Sequence, residues 1–456
     1  WIFGIILTLY MIIPGAINAV YVPVISQYLD EQHIEKRNKI FQGLFTAILM
    51  LFVIATIGLY IFTPQIIAFL QPGYDSESLA LGIELFRIAL PAMFAMGLIG
   101  LFMSVSYSHK QFFLPSFGTV IFSLSVIFTI IFFVPHYGIH GLMIGTVFGY
   151  VLFAILLFVQ TKRKNYHFHI SLEAVRDRDI KRMGELLVPI LLASTISQSY
   201  FYVNQALASM LEEGAQSALI YAYKIFLIPS GVFVGAFTVP LLPIISELVK
   251  KNQIDETKRI LRKGTAYMHL LMFPTMIAFI VIGDEIIRFV FERGVFSPED
   301  TARTYQALIF YSIALFPLAA RDIVTRVYYS MENTKTPMFI GLFAVIVNFI
   351  VAFLLMDTLN LSAMTIGFSA ASLFNLWLLV VLLKRKIGKI YDKQYYISFG
   401  KSIIASASMG AVLWGLKQYL QTAASVFVLV PIYIVIGGIV YYFILVLLRE
   451  EHAKEI

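Results

Sequence analysis

The feature that most constrains this chain is a series of long, uninterrupted apolar runs separated by short basic loops. About 20 apolar residues in a helix cross a bilayer core. The runs fall at about 1–28, 40–62, 80–106, 114–134, 138–160, 186–211, 217–245, 265–283, 304–330, 338–356, 361–383, 397–419 and 425–448. They show no period-2 alternation of polar residues, which excludes a membrane β-barrel. The expected fold is an all-α polytopic membrane protein with about thirteen transmembrane helices.

Composition supports that reading. Of 456 residues, 59% are hydrophobic and only 13% charged, against about 25% charged in soluble domains. A water-soluble enzyme, a nucleic-acid binder and a disordered scaffold are all excluded. The net charge of +7 comes from clusters between the apolar runs. One alternating set of loops holds 25 Lys and Arg, among them Lys36, Arg37, Lys162, Arg163, Lys164, Arg259, Arg262, Lys384 and Arg449. The opposite set holds only Arg288, Arg293 and Arg303. By the positive-inside rule the first set, with the C-terminus, is cytoplasmic. With no cysteine, disulfides and thiolate chemistry are excluded. Nor is there an HExxH, GxxxxGK[ST], GxSxG or paired-carboxylate motif, so no enzyme active site and no metal centre is expected. His167 and His169 read as a solvated loop pair.

An internal repeat organises the runs. PVISQYLDEQHIE (Pro23 to Glu35) corresponds to PIISELVKKNQID (Pro243 to Asp255), and PQIIAFL (Pro64 to Leu70) to DEIIRFV (Asp284 to Val290), both at an offset of 220. VSYSHKQFFLP (Val105 to Pro115) then matches VYYSMENTKTP (Val327 to Pro337) at 222. A repeat of six helices is parallel, about an axis along the membrane normal. The run at 186–211 lacks a counterpart, which would precede Trp1. Thirteen spans ending inside would also start the first one outside. The expectation is therefore fourteen helices in the intact protein, in two six-helix lobes and a final pair. The lobes are expected over 1–160 and 186–384, joined by an amphipathic cytoplasmic linker, 161–185, with Leu172, Val175, Ile180 and Met183 on one side. The final pair and a cytoplasmic tail fill 385–456.

Charges inside apolar runs are costly and usually face a cavity or a partner. Lys224 lies in YAYKIFLIPSGVF without an acidic residue one turn away. It either snorkels to the outer interface or lines a cavity that receives an anion. Pro229, Ser230 and Gly231 weaken that helix at mid-membrane and form a candidate hinge. Arg87 has Glu84 one turn back, so a local ion pair competes with a cavity role. Arg321 and Asp322 are adjacent, with side chains expected to diverge; Arg321 reads as a lumen residue, whereas Arg326 is close enough to the interface to snorkel. Lys401 and Lys417 lie nearer span ends, and the buried acids are Glu84, Asp322 and borderline Asp357. Asn18, Ser197, Gln198, Asn204, Asn348 and Asn375 are either helix–helix hydrogen-bonding groups or ligand contacts. The surplus of buried positive charge favours an anionic substrate carrying a phosphate or pyrophosphate. It disfavours a cation-coupled drug exporter, which needs unpaired buried carboxylates.

FERGVFSPEDT (Phe291 to Thr301), YYSMENTKTP (Tyr328 to Pro337) and YKIFLIPSGVF (Tyr223 to Phe233) resemble the MurJ/MviN family of bacterial lipid II flippases, within the multidrug/oligosaccharidyl-lipid/polysaccharide exporter superfamily. The resemblance covers essentially the whole chain. It implies two lobes around a basic central cavity. It also implies transfer of undecaprenyl-diphosphate-linked peptidoglycan precursor from the cytoplasmic to the outer leaflet by alternating access. Lys224 falls where the family commonly has an essential Arg, and Arg87 and Arg321 at positions often basic. The substrate-binding set is then Lys224, Arg87, Arg321, Arg326, Gln198 and Asn18, with the pyrophosphate on Lys224 and Arg87. Positions aligned with the family's early second-helix cations, Leu9 and Tyr10, are neutral. The implied setting is the bacterial inner membrane, with no cofactor beyond coupling to membrane potential or a monovalent ion. Partners would be the lipid-linked anion, membrane lipids and cell-wall synthesis proteins, with no nucleic acid. Alternatives are a flippase for teichoic-acid, capsule or O-antigen lipids, a cation-coupled multidrug exporter, and a non-transporting scaffold.

Overall fold

In apolar surroundings every backbone N–H and C=O must find a partner inside the chain, which leaves helices as the only open solution. The computed structural model describes residues 2–420 and 425–450. Among them helices account for nearly all of the chain and no strand occurs. Two compact units form, Trp1–Gln198 and Ser199–Ile456.

The first unit contains α1 (Ile2–Ile25), α2 (Ile34–Leu70), α3 (Ser76–Ser108), the single turn α4 (Phe113–Ser116), α5 (Gly118–Phe132), α6 (Val134–Lys162), the single turn α7 (Leu172–Val175) and most of α8 (Arg178–Ala208). Helix α3 is central and packs against α1, α2 and α6. Ala89, Ala92, Ala95, Gly97 and Gly100 give it a small-residue surface that lets neighbours approach closely. The second unit contains α9 (Ala215–Pro229), α10 (Gly235–Lys250), α11 (Ile254–Phe291), α12 (Pro298–Ser312), α13 (Leu315–Ser330), α14 (Lys335–Leu359), α15 (Leu361–Ile387), α16 (Lys393–Leu420) and α17 (Val426–Leu447). Here α11, 38 residues long, is the central element, packed by α12, α13, α16 and α17. Tyr441 on α17 donates to the Leu270 carbonyl of α11 at 2.6 Å, and His269 meets Ser402 of α16 at 2.8 Å.

Ten described helices are long and apolar enough to cross a membrane, or twelve if each of two bent pairs counts as one span. The expected count of thirteen exceeds this because the run at 114–134 forms the 15-residue α5. At about 1.5 Å per residue that helix is about 22 Å long, short of a bilayer core of about 30 Å. The run at 304–330 is α12 and α13, bent by 43° at their junction.

The segment between α6 and α8 departs from a single amphipathic face. Ile180 and Met183 are buried as expected, but Leu172 is 63% exposed while Ala174 is buried. The cause is a break after α7: the helical phase restarts at Arg178, so residues on either side no longer share a face. This segment is clamped to the start of α2. Lys36 binds Asp177 at 2.9 Å and Asp179 at 3.0 Å, and Ser171 N–H donates to Thr46 at 3.0 Å. Arg37, buried, donates to the Asn165 carbonyl at 3.2 Å and lies 4.5 Å from the Tyr166 ring centre. Burial opposes ionisation of Asp177, but the Lys36 ammonium and the Asp179 N–H outweigh it and hold its carboxyl below the usual range. His109, just past α3, contacts Tyr166 OH at 3.1 Å. Burial, then the nearby Lys164 and Arg37, push its pKa down to about 4.

Two outcomes follow from this packing. At Gly367 on α15 an added Cβ would lie 2.7 Å from the Asn348 carbonyl of α14, whereas at Gly58 on α2 nothing lies within 4 Å. Gly367→Ala should therefore cost about 1–3 kcal/mol, read as a lowered thermal midpoint in detergent, while Gly58→Ala leaves the midpoint unchanged or higher. As for His109, the unfolded chain binds a proton near pH 6.5 that the folded chain refuses until about 4. Its contribution to stability is present above that window and is lost as pH falls through it. The midpoint of His109→Gln should fall less than that of the parent between pH 7 and 4.5; equal slopes would exclude this group as a cause.

Candidate functional site

Lys224 sits on α9, and its ammonium lies 5.3 Å from the Tyr221 ring centre. It is exposed on the protein's own surface and forms no ion pair among the described residues. The turn after it is a π-helical segment, Ser230–Val234, between α9 and α10. Pro229 lacks an N–H and its ring crowds the carbonyl one turn back; the turn that follows is widened to a π turn, through which α9 runs on into α10. Pro229 is buried, Gly231 faces open space, and Ser230 Oγ is buried without a hydrogen-bond partner. The weak point expected at this site is thus a change of helical pitch.

Arg321, on α13, is corrected in one respect. Its Nε and Nη2 donate to Asp322 Oδ1 at 3.1 and 2.7 Å, so the adjacent side chains converge. The long Arg stem lets the fork fold back onto its neighbour, and low polarity rewards the pairing. Much of the positive charge assigned to this position is therefore compensated in place. Arg326, one turn further on, makes no ion pair among the described residues.

Arg87, on α3 in the first unit, is also corrected. Glu84 Oε2 lies 3.3 Å from His140 Nε2 without a hydrogen bond, and Arg87 lies over the Tyr60 ring at 4.6 Å. Its Nε is buried with no hydrogen-bond partner, so the local ion pair weighed for it does not form. On α1, Asn18 is half-buried with Oδ1 unpartnered. Gln198 on α8 is half-buried as the last residue of the first unit. The side chain of Ser197 lies outside the described residues.

The other amides join helices. Asn204 Nδ2 donates to the Met364 carbonyl at 3.1 Å, Asn348 Nδ2 to Asn204 Oδ1 at 2.9 Å, and Asn375 Nδ2 to Tyr200 OH at 3.4 Å. These bonds tie α8, α14 and α15 together.

The acids are also redistributed. Glu84 has a side chain 63% exposed and Asp357 is exposed, whereas Glu285, which closes the run at 265–283, is 1% exposed. Its neighbour Asp284 holds Lys417 of α16 at 2.5 Å. The Asp–Glu step directly after an apolar run was the sequence signal for this cluster. No group of three His, Asp or Glu suited to a metal occurs among the described residues.

Comparison with known proteins bears on this arrangement. The family described as Lipid II flippase MurJ matches residues 3–435. A protein of Rickettsia prowazekii (strain Madrid E), named probable lipid II flippase MurJ, is 30% identical over 370 residues, covering 80% of this chain and 72% of the relative. One of the same name from Aquifex aeolicus (strain VF5) is 26% identical over 96% of this chain and 85% of the relative. A solved structure of lipid II flippase MurJ in an inward closed conformation aligns with a TM-score of 0.81 at 23% identity, over 97% of this chain and 90% of the other. An inward-facing multidrug resistance MATE family transporter of the MOP superfamily aligns at 0.73 and 13% identity, over 85% and 89%. The fold is thus common to both groups. Since the match to the family extends over nearly the entire sequence, this membrane protein belongs to the Lipid II flippase MurJ family.

Proposed function

We propose that the chain carries lipid II, the undecaprenyl-diphosphate-linked peptidoglycan precursor, from the inner to the outer leaflet of a bacterial inner membrane. Lys224 carries this reading: it is a cation on an apolar helix, with no carboxylate among the described residues to neutralise it, inside the sequence YKIFLIPSGVF. An unpaired cation at helix centre costs about 2.5–3.5 kcal/mol even on a lenient insertion scale. A pyrophosphate arriving from the aqueous side offsets that cost through charge-assisted hydrogen bonds.

In the first unit Arg87 supplies a further cation for the anionic substrate, supported by its unpartnered Nε and the absence of an ion pair to it among the described residues. Arg326 supplies further positive charge, Arg321 a weaker share because of Asp322, and Gln198 and Asn18 accept or donate to the sugar–peptide head. The basic loops face the cytoplasm with the C-terminus, as their 25 cations dictate. The lobes rock with bending at Pro229–Gly231, where the π turn already stores a pitch change. Outward movement of an anion is favoured by an interior-negative potential, at about 2.3 kcal/mol per charge per 100 mV. The same sign of charge argues against export of cationic drugs, despite the shared fold.

The deciding experiment is growth rescue of bacteria depleted of their own lipid II flippase, using the full gene. Wild type should rescue and Lys224→Ala should fail at equal membrane abundance. Lys224→Arg should rescue, because the charge is kept and a bidentate fork is added. Rescue by Lys224→Ala would remove this residue from the mechanism, and failure of the wild type would redirect the proposal to another polyprenyl-linked glycan.

A further inference from the structure

The basic end of the second unit carries a cavity of about 610 Å³ that the flippase reading does not use. Its walls come from the start of α11, the loop before α16, the first turns of α16 and the residues after α17. Five cations line it, Arg259, Arg262, Lys263, Lys401 and Arg449, against two carboxylates, Asp392 and Glu450. Both carboxylates are committed. Asp392 pairs with Arg262. Glu450, whose side chain is 2% exposed, accepts from Ser398 at 2.6 Å and lies 3.6 Å from Lys401. Arg259 pairs with Glu256 at 2.8 Å along its own helix.

Arg449 is different. Its backbone is left-handed, φ 52°, and its carbonyl accepts from Lys401 at 2.8 Å. Its guanidinium has no ion pair or hydrogen bond among the described residues, although it lines the cavity. The remaining wall is part apolar, with the buried Tyr395 and the half-exposed Ile397. That combination of a fork without an ion pair, neighbouring cations and an apolar edge suits a phosphate ester. Basic pockets at the ends of membrane helices are where such groups bind.

We propose that this cavity is a phosphate-binding site, taking either the phosphate of an anionic phospholipid or free inorganic phosphate. A bound phosphate would span Arg449, Lys401 and Arg259, and so fasten the α16–α17 pair to α11.

The test uses the full-length protein purified in detergent and in nanodiscs. Thermal midpoints are measured with sodium phosphate against sodium chloride at equal ionic strength, and in phosphatidylglycerol against phosphatidylcholine nanodiscs. Phosphatidylglycerol affinity is also measured by titration into detergent. Arg449→Gln breaks no pair in the fold and so should remain folded; Arg259→Gln is the second variant. Each should weaken binding about fivefold, the loss of roughly 1 kcal/mol per cation near a membrane surface. A midpoint raised by phosphatidylglycerol alone identifies a lipid site, and one raised by inorganic phosphate identifies a soluble-anion site. No rise with either ligand, or a rise that both variants retain in full, overturns the proposal.

Discussion

The constraint on which this structure depends is the need to satisfy every backbone polar group without water. It makes the chain helical, and it also governs the few places where the helices deviate. Helix α11 leaves helical geometry at Ile282, φ −120° and ψ 17°. That break releases carbonyls, and side chains from other helices capture them. Tyr305 of α12 donates to Ile280 O at 2.5 Å, and Lys417 of α16 to Val281 O at 3.1 Å. Lys417 is then neutralised by Asp284, two residues beyond the break. A backbone irregularity thus recruits a charged pair, and that pair joins α16 to α11. The π turn after Pro229 meets the same requirement differently, by lengthening its hydrogen-bonded ring within one helix.

Charge pairing follows the same economy of partners. Lys417 and Asp284, Arg321 and Asp322, and Arg262 and Asp392 neutralise one another, so each costs far less to hold near apolar surroundings than an isolated ion. Arg37 manages without a carboxylate by using a carbonyl and an aromatic face. Lys224, Arg87, Arg326 and Arg449, by contrast, make no ion pair among the described residues.

Fold class, the apolar runs and the family were legible because periodicity and loop charge are properties of single segments. The amphipathic face of 161–185 was not, since one break after Val175 resets the phase and only the three-dimensional path reveals it. Pairings were the least legible. Glu84 lies one turn from Arg87, yet the guanidinium packs over the Tyr60 ring of α2 instead. Asp322 follows Arg321 immediately, and sequence spacing on an ideal helix separates them, yet the flexible Arg stem closes the gap. Local sequence distance says which partners are near. Tertiary contacts decide which of them bind. Lys224 was legible for the converse reason, because no acid lies within one turn of it and none reaches it from another described element.

That difference separates the three candidate-site cations of the second unit, Lys224, Arg321 and Arg326, by what they leave for a ligand. Arg321 is held by a carboxylate oxygen through two donors, so an incoming phosphate must compete with a bond already made. Lys224 has only a ring 5.3 Å away, an interaction worth about 0.5–2 kcal/mol. An anion therefore displaces little when it reaches Lys224 and retains most of the Coulomb gain. Arg326 likewise makes no ion pair among the described residues. Leucine at 224 would fit the apolar helix at no cost in charge burial, and the fold makes no structural use of the ammonium beyond the Tyr221 contact. Of these candidate positions, Lys224 is therefore a cation with little to give up when an anion arrives.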